Sequence, residues 1–205
     1  LWIFGASGVR IANNVIRDAA GECLRIKYQA AGNEIVGNRI EDCGGDFDAD
    51  DDEKNGEGIY IGTSPEQLDR NPTGEADASD RNWVHGNVID TPAECVDIKE
   101  GASENVVEHN RCSGGEDPDG AGLSSRGNGN IFRHNISRGH DGAGIRLGGD
   151  TMSDGVDNVV VANRFEDNDG FGVKVQRSPQ RQLCGNELSG NDDHHNGPVD
   201  PAAPC

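Results

Sequence analysis

Hydrophobic and polar positions alternate in short stretches along the chain, and these stretches return at a regular interval. Each unit begins with N-x-(apolar)-x-x-N-x-(apolar), passes through a turn and ends with G-(apolar)-x-(apolar). Clear copies of the first half are NWVHGNVI at 82–89 and NVVEHNRC at 105–112, and copies of the second half are GIRL at 144–147 and GVKV at 172–175. A period of two is typical of β-strands in which every second side chain faces a core. The pattern therefore predicts an all-β chain of short strands.

The second asparagine of the unit marks the length of the repeat. It falls at Asn14, Asn38, Asn87, Asn110, Asn135, Asn163 and Asn186. Most intervals are 23 to 28 residues, and the single interval of 49 contains two inserted segments, 44–57 and 62–81. Strand repeats of this length indicate a parallel β-helix, in which each turn pairs with the next. Asparagine suits the recurrent bend, because it tolerates the left-handed conformation and its amide can bond its equivalent one rung away.

We therefore expect a single-stranded right-handed parallel β-helix of about seven rungs over 1–189, since parallel crossovers are almost always right-handed. Scarce leucine and the period-two alternation exclude leucine-rich and helical repeats. Segment 190–205 contains proline and lacks apolar alternation, which predicts a polar C-terminal tail or cap. The chain begins within a rung, so we expect that N-terminal rungs are missing.

Composition alone points to a different class of protein. Leu, Ile, Val and Phe make up under a fifth of the chain and the net charge is −19, a combination typical of disordered proteins. A β-helix resolves this conflict, because its core needs only two or three small apolar side chains per turn. The negative charge disfavours nucleic acid, and no segment reaches transmembrane length. We expect a monomer that binds neither nucleic acid nor membrane.

The six cysteines lack C-x-x-C spacing, and their even number favours disulfides over zinc. This predicts an extracellular protein, secreted or at the cell surface. Cys184 with Cys205 is the best predicted pair, because it would tie the tail to the last rung. Cys23, Cys95 and Cys112 occupy strand positions at which a buried free thiol is an equally ordinary interpretation.

Basic residues concentrate on the outward face of the G-(apolar)-x-(apolar) strands. Outward side chains of successive rungs stack about 4.8 Å apart and form a stripe along the axis. The stripe contains Trp2, Arg25, Lys27, Tyr60, Asp97, Lys99, Arg126, Arg146 and Lys174. Lysine and arginine on a solvated strand face also discourage aggregation, but so many of only 18 basic residues favour an anion-binding surface. An acidic polysaccharide fits, because the cations suit carboxylates and the aromatic rings suit sugar faces.

Such rungs, with outward Lys and Arg beside acidic loops, resemble the pectate-lyase-like superfamily of polysaccharide lyases and related carbohydrate-active proteins. The resemblance extends over nearly the whole chain, but it is a resemblance of architecture. Hydrolases, epimerases and non-catalytic surface proteins share this architecture with lyases. Hydrolases usually carry clustered aspartates on this sheet, whereas Asp97 is the only outward strand carboxylate here, and the epimerase motif D-P-H-D is absent. The lyase branch is closest, and a non-catalytic carbohydrate-binding or adhesion module is the alternative.

The resemblance implies Ca²⁺-assisted β-elimination at C5 of a uronate, in which a lysine or arginine takes the proton. Lys99 is the candidate base. We expect Arg126 and Arg146 on adjoining rungs to lower its pKa, whereas Asp97 and Glu100 would raise it. Arg126 is the alternative base. The predicted substrate-binding residues are Arg25, Lys27, Tyr60, Arg146 and Lys174.

The acidic stretch GGDFDADDDEKNGEG at 44–58 is the candidate source of calcium ligands. We predict Asp48, Asp50 and Asp52 as ligands, together with Asp97, although the spacing does not match an EF-hand. A solvated acidic loop is the alternative. We expect segments 44–57 and 62–81 to project from one rung and flank the face between Tyr60 and Lys99.

Overall fold

The structure is a computed structural model that describes residues 1–45, 47–48 and 55–205. The described residues form 22 short strands and one 3₁₀ helix, Pro65–Arg70. In chain order the strands are β1 (Trp2–Phe4), β2 (Arg10–Ala12), β3 (Val15–Ala19), β4 (Leu24–Lys27), β5 (Glu34–Val36), β6 (Arg39–Cys43), β7 (Ile59–Ile61), β8 (Trp83–His85), β9 (Val88–Asp90), β10 (Val96–Ile98), β11 (Val106–Glu108), β12 (Arg111–Ser113), β13 (Ala121–Ser125), β14 (Ile131–Arg133), β15 (Ile136–Arg138), β16 (Ala143–Leu147), β17 (Val159–Val161), β18 (Arg164–Glu166), β19 (Phe171–Val175), β20 (Gln182–Cys184), β21 (Glu187–Ser189) and β22 (Asp193–His195).

The strands form three parallel sheets along the axis of a β-solenoid. The first sheet has the order β1-β4-β7-β10-β13-β16-β19-β22. The second has the order β2-β5-β8-β11-β14-β17-β20, and the third has the order β3-β6-β9-β12-β15-β18-β21. Each turn of the chain contributes one strand to each sheet. The predicted all-β parallel β-helix of about seven rungs is confirmed.

The core consists of aligned inward side chains rather than a few large ones. In the first sheet the inward row is Leu24, Ile59, Val96, Leu123, Ile145 and Val173, one residue per strand. All six are fully buried. Phe132 and Phe165 are the largest fully buried side chains. A chain with so few large apolar residues therefore folds because the same position is apolar in every turn.

The predicted asparagine ladder is confirmed by hydrogen bonds between equivalent residues. Asn87, for example, donates from its backbone N–H and from Nδ2 to Oδ1 of Asn110, at 3.0 and 2.9 Å. Asn110 donates in the same way to Asn135. The first asparagine of the unit forms a second ladder, which begins with Asn33 and Asn82. Each ladder provides buried bends with partners for their polar groups.

The two inserted segments leave the same rung, because 44–58 joins β6 to β7 and 62–82 joins β7 to β8. Asp77 anchors the second segment across the first sheet. Its carboxylate accepts hydrogen bonds from the backbone N–H groups of Tyr28 and Gln29, at 2.7 and 2.9 Å, and from Thr63 Oγ1 at 2.6 Å. The segment with the 3₁₀ helix is thus fixed over the outward face of the first sheet.

All six cysteines are paired, as Cys23–Cys43, Cys95–Cys112 and Cys184–Cys205. The predicted pair Cys184–Cys205 is confirmed, and the free-thiol alternative for Cys23, Cys95 and Cys112 is wrong. Segment 190–205 supplies β22, which pairs with β19 at the end of the first sheet. In the described part of the chain, no helix has the length and apolar character needed to cross a membrane.

Candidate functional site

A groove with a volume of about 630 Å³ lies on the outward face of the first sheet, beside the segment 62–81. Its described lining contains five cationic side chains, Arg25, Lys27, Arg70, Lys99 and Arg126. It also contains the acidic side chains Glu22, Glu57 and Glu66 and the aromatic rings of Trp2, Phe4 and Tyr60. Among the described lining residues, basic side chains therefore outnumber acidic ones, although the whole chain carries a net charge of −19.

Backbone register confirms the predicted stripe of outward residues. Aligned on successive strands of the first sheet are Trp2, Arg25, Tyr60, Asp97, Ser124, Arg146 and Lys174. Four residues of the stripe, Arg25, Lys27, Tyr60 and Asp97, are buried although they lie on the outward face of the sheet. The inserted segment 62–81 covers this part of the stripe, so an outward strand position is not a solvent position here.

Lys99 lies in the groove as a buried ion-pair partner of Asp97. Its Nζ is 2.5 Å from Asp97 Oδ2 and 4.6 Å from the centre of the Tyr60 ring. Burial lowers the pKa of Lys99, but the attraction of Asp97, Tyr60 and Glu57 outweighs it, and the net pKa is raised. The same pair lowers the pKa of Asp97, although burial alone would raise it. The expected lowering of the Lys99 pKa is therefore wrong in sign.

Arg126, the alternative base, is held between two carboxylates. Its Nε donates to Glu100 and its Nη2 donates to Asp150. Burial lowers the pKa of Arg126, but the attraction and hydrogen bond of Glu100 outweigh it and raise the pKa. Its guanidinium therefore remains protonated, which suits it to binding an anion rather than to accepting a proton.

Other cations of the stripe also have acidic partners. Arg146 Nη2 donates to Glu94 Oε1 at 2.8 Å, and Arg25 Nη1 donates to Glu22 Oε1 at 2.8 Å. The guanidinium of Arg25 also lies 4.3 Å from the centre of the Tyr60 ring. Repulsion between stacked cations is thus relieved by carboxylates of the chain itself. Lys174 is aligned with Arg146 on the next strand, outside the lining of the groove.

Three carboxylates meet beside Lys99. One oxygen each from Glu57, Glu94 and Asp97 lies within 4.8 Å of the others. Asp97 is 1% exposed, and its Oδ1 has no hydrogen-bond partner within the described part of the chain. Burial, with repulsion from Glu94 as the next cause, raises the pKa of Glu57 to about 8. Burial also raises the pKa of Glu94, against the attraction of Arg146. Negative charge is therefore costly in this cluster unless a cation compensates it.

The repeat explains why these acids meet. Glu22, Glu57 and Glu94 each stand two residues before the first inward residue of a strand, in ECLRI, EGIYI and ECVDI. The backbone N–H of Cys23 donates to the Glu57 carbonyl, and the N–H of Gly58 donates to the Glu94 carbonyl. Glu57 and Glu94 were not predicted as ligands, although this shared position is visible in the sequence.

The predicted calcium ligands do not come together in the described residues. Asp97 belongs to the carboxylate cluster. Asp48 is exposed and lies outside both this cluster and the lining of the groove. Asp50 and Asp52 lie outside the residues that the structure describes. Segment 62–81 flanks the Tyr60–Lys99 face as expected, and Asn55 and Glu57 of the other segment also line the groove.

A second group of potential metal ligands is buried in the core, where the Cys95–Cys112 disulfide lies beside His140. His140 Nδ1 accepts a hydrogen bond from the backbone N–H of Gly115 at 3.0 Å. Burial lowers the pKa of His140 to about 4, with a smaller opposing effect of the Cys112 backbone. The imidazole is therefore neutral, and Nε2 carries its proton.

Comparison with known proteins gives the family and the fold. A crystal structure of alginate lyase from Paenibacillus sp. str. FPU-7 is similar to this chain with a TM-score of 0.73, at 20% sequence identity. The match covers 96% of this chain and 68% of that one, and at this identity it shows the fold alone. No curated protein sequence matches the chain. Residues 53–197 match the family model NosD, described as periplasmic copper-binding protein. This match spans most of the chain, which therefore belongs to the NosD family.

Proposed function

We propose that the groove binds an acidic, uronate-containing polysaccharide and cleaves it by β-elimination. The observation that carries this proposal is the position of Lys99, whose ammonium group lies in a cationic groove directly beside three carboxylates. The neighbouring Arg25, Lys27, Arg126 and the aligned row beyond them supply the positive charge that a polyanion requires.

The carboxylate cluster fits a hard divalent cation, and we assign it to Ca²⁺. Glu57, Glu94 and Asp97 would hold the ion, since oxygen ligands are those that Ca²⁺ prefers. The fit rests on Asp97 Oδ1, which is buried and has no hydrogen-bond partner among the described residues. When bound, such an ion would neutralise the sugar carboxylate, make the C5 hydrogen more acidic and offset the negative charge that retains the proton of Lys99.

The residues of the chain then have separate roles. Lys99 takes the hydrogen from C5 as a proton, the electron pair forms the C4–C5 double bond, and the C4–oxygen bond breaks. The leaving oxygen takes a proton from solvent. Arg126 stays protonated and binds a sugar carboxylate, while the ring of Tyr60 holds the guanidinium of Arg25 and the ammonium of Lys99 in place. Arg146 and Lys174 extend the binding surface along the axis.

A non-catalytic carbohydrate-binding module is the second candidate function. It is favoured by the raised pKa of Lys99 and of Arg126, since neither side chain can accept a proton while it keeps one. The two candidates share the groove and the polymer, and they differ only in whether bonds are broken.

Copper does not fit either of the two groups of three potential metal ligands found among the described residues. Soft thiolates and imidazole nitrogens with a free lone pair favour copper. Cys95 and Cys112 are joined to each other, and His140 uses the lone pair of Nδ1 to accept a hydrogen bond. The other described group consists of carboxylates alone. We therefore derive no chemical step from copper.

The disulfides and the periplasmic description of the family place the chain outside the cytoplasm. We propose that it works as a secreted or surface protein, where acidic polysaccharides are accessible.

Incubation with alginate, pectate and glycosaminoglycans, each with Ca²⁺ or with a chelator, tests the proposed function. Alginate comes first, because the similar solved structure is an alginate lyase. We expect the absorbance of unsaturated uronates to rise with one of these polymers, and only with Ca²⁺. Salt-sensitive binding without new absorbance would replace the lyase by the binding module. Absence of both binding and cleavage would refute the proposal.

Calcium affinity should depend on pH through Glu57. Its pKa in the folded chain is about 8, against an ordinary value of 4.5, so the free site holds a proton between these values. Ca²⁺ must displace this proton, and affinity should therefore rise by up to about tenfold per pH unit towards pH 8. Without Ca²⁺, the free energy of unfolding should fall as pH rises through the same window, because the unfolded chain has already released the proton.

Isothermal titration calorimetry in two buffers of different ionisation enthalpy measures the proton release directly. The Glu57→Gln variant is the matched control, because it cannot release a proton at this position. It should bind Ca²⁺ more weakly and with a shallower pH slope, to which Glu94, whose pKa burial also raises, still contributes. Affinity that is constant between about pH 6 and pH 8 would remove Glu57 from the metal site.

A further inference from the structure

Exposed aromatic rings and a lysine form a second cluster at one end of the groove. Trp2 is 60% exposed and Phe4 is 44% exposed, although both are large apolar side chains. Register on adjacent strands places Trp2 beside Arg25 and Phe4 beside Lys27. Lys27 Nζ lies 5.5 Å from the centre of the Trp2 ring and 6.0 Å from that of Phe4. The cluster therefore places positive charge beside two aromatic side chains that are partly exposed to solvent.

Lys27 and Arg70 differ from the other cations of the groove in their partners. Arg25, Lys99 and Arg126 each form an ion pair with a carboxylate. Lys27 and Arg70 form no such pair with the described residues, although both line the groove. Arg70 is exposed at the end of the 3₁₀ helix, whereas Lys27 on β4 is buried and reaches the groove as part of its lining. These two side chains therefore have positive charge available for a ligand.

We propose that Trp2, Lys27 and Arg70 form a subsite for one uronate residue of the polymer. The sugar ring packs on Trp2, and its carboxylate binds Lys27 and Arg70. This inference rests on the proposed function, because it places a further residue of the same ligand in the same groove. No elimination takes place at this subsite. Lys27 lies on β4 and Lys99 directly follows β10, and these strands are two positions apart in the sheet order β4-β7-β10.

The position of the subsite predicts a dependence on chain length. Strands of the sheet lie about 4.8 Å apart, so Lys27 and Lys99 are about 10 Å apart along the axis. A single uronate cannot contact both lysines, whereas an oligosaccharide can. The subsite should therefore increase affinity for longer oligomers and leave affinity for the shortest ones unchanged.

Tryptophan fluorescence can report on this subsite alone, because the chain has only two tryptophans. Trp83 lies on β8 in the second sheet, so the Trp83→Phe variant leaves Trp2 as the single probe. We would titrate this variant, with Lys99→Arg added to prevent cleavage, with oligouronates of defined length from alginate and pectate. A saturable change in Trp2 fluorescence is expected with the longer oligomers only.

Lys27→Met in the same background should weaken binding of the longer oligomers about tenfold or more, as expected for loss of a charge-assisted contact. Trp2→Ala is a second variant whose exposed position carries little risk for folding, and calorimetry then replaces fluorescence. Arg111→Met is the control for net charge, because Arg111 is exposed on the third sheet, away from the groove.

The outcomes separate the subsite from the proposed function. If long oligomers bind by calorimetry but neither Trp2 fluorescence nor Lys27→Met responds, the subsite is wrong and the groove proposal stands. If oligomers of every length fail to bind at low salt, the proposed function fails, and the subsite fails with it. An equal loss of affinity in Lys27→Met and Arg111→Met would mean that only net charge matters, which also overturns the subsite.

Discussion

Replacement of Lys99 by arginine should lower turnover of the cleaved polymer by about 10² to 10⁴-fold, the usual effect of losing a general base. Arginine keeps a positive charge that can pair with Asp97, so the buried carboxylate retains a partner. It does not give up a proton readily, because its pKa is far above neutrality. The initial rate of unsaturated-uronate formation, measured at saturating polymer and Ca²⁺, tests this expectation.

Lys99→Met separates the chemical role of the lysine from its structural role. An exposed strand lysine could be removed with little effect on stability, but the Lys99 side chain is only 13% exposed and Asp97 is buried. Removing one partner of a buried ion pair costs about 3–5 kcal/mol, because the other charge is left without compensation. We therefore expect Lys99→Met to unfold at lower urea concentration, and Lys99→Arg to unfold close to the parent. Full turnover in Lys99→Arg would move the base to another residue.

The fold could be predicted because the solenoid repeats one local rule. An inward apolar residue, an outward polar residue and a bend asparagine recur in every turn, so each copy supports the same interpretation. The asparagine ladder needed no knowledge of distant contacts, since each member bonds its own equivalent one turn away. The Cys184–Cys205 disulfide could be predicted for a similar reason, because the C-terminal tail lies next to the last rung only.

The candidate site could be predicted only in part. Alternation placed Arg25, Tyr60 and Asp97 correctly on one face, but it gave no information about what covers that face. The path of segment 62–81 depends on Asp77, which bonds backbone groups nearly fifty residues earlier in the chain. Burial by itself lowers the pKa of Lys99, but the attraction of Asp97, Tyr60 and Glu57 outweighs it and reverses the expected direction of the lysine pKa.

The carboxylates show a second limit of prediction from sequence. The dense run of aspartates in segment 44–58 favours those aspartates as metal ligands, whereas the observed cluster joins Asp97 with Glu57 and Glu94, which are single acids in separate turns. Their common position before the strand was available in the sequence, but its importance depends on the neighbouring turn. Isolated acids at equivalent positions of a repeat therefore deserve as much weight as a dense acidic loop.

Replacement of Asn110 by alanine should destabilise the solenoid by about 2–5 kcal/mol, because Asn110 stands in the middle of the buried ladder. Its Oδ1 accepts from the backbone N–H and from Nδ2 of Asn87, and its Nδ2 donates to the carbonyl of Val84 at 3.0 Å. Alanine removes the partner of the Asn87 backbone N–H and one partner each of Asn87 Nδ2 and the Val84 carbonyl, and each buried group left unsatisfied costs about 1–3 kcal/mol. Urea unfolding followed by circular dichroism would measure the change.

Asn14→Ala is the matched control, because it removes the same side chain from the exposed first member of the ladder. Asn14 donates to the carbonyl of Ala12 and to Asn38, but water can replace both contacts at this end. We expect a loss of less than about 1 kcal/mol. Equal losses in the two variants would mean that the ladder contributes no more than an ordinary surface bend. A large loss in Asn110→Ala alone would show that satisfying buried polar groups, as well as apolar stacking, stabilises the solenoid.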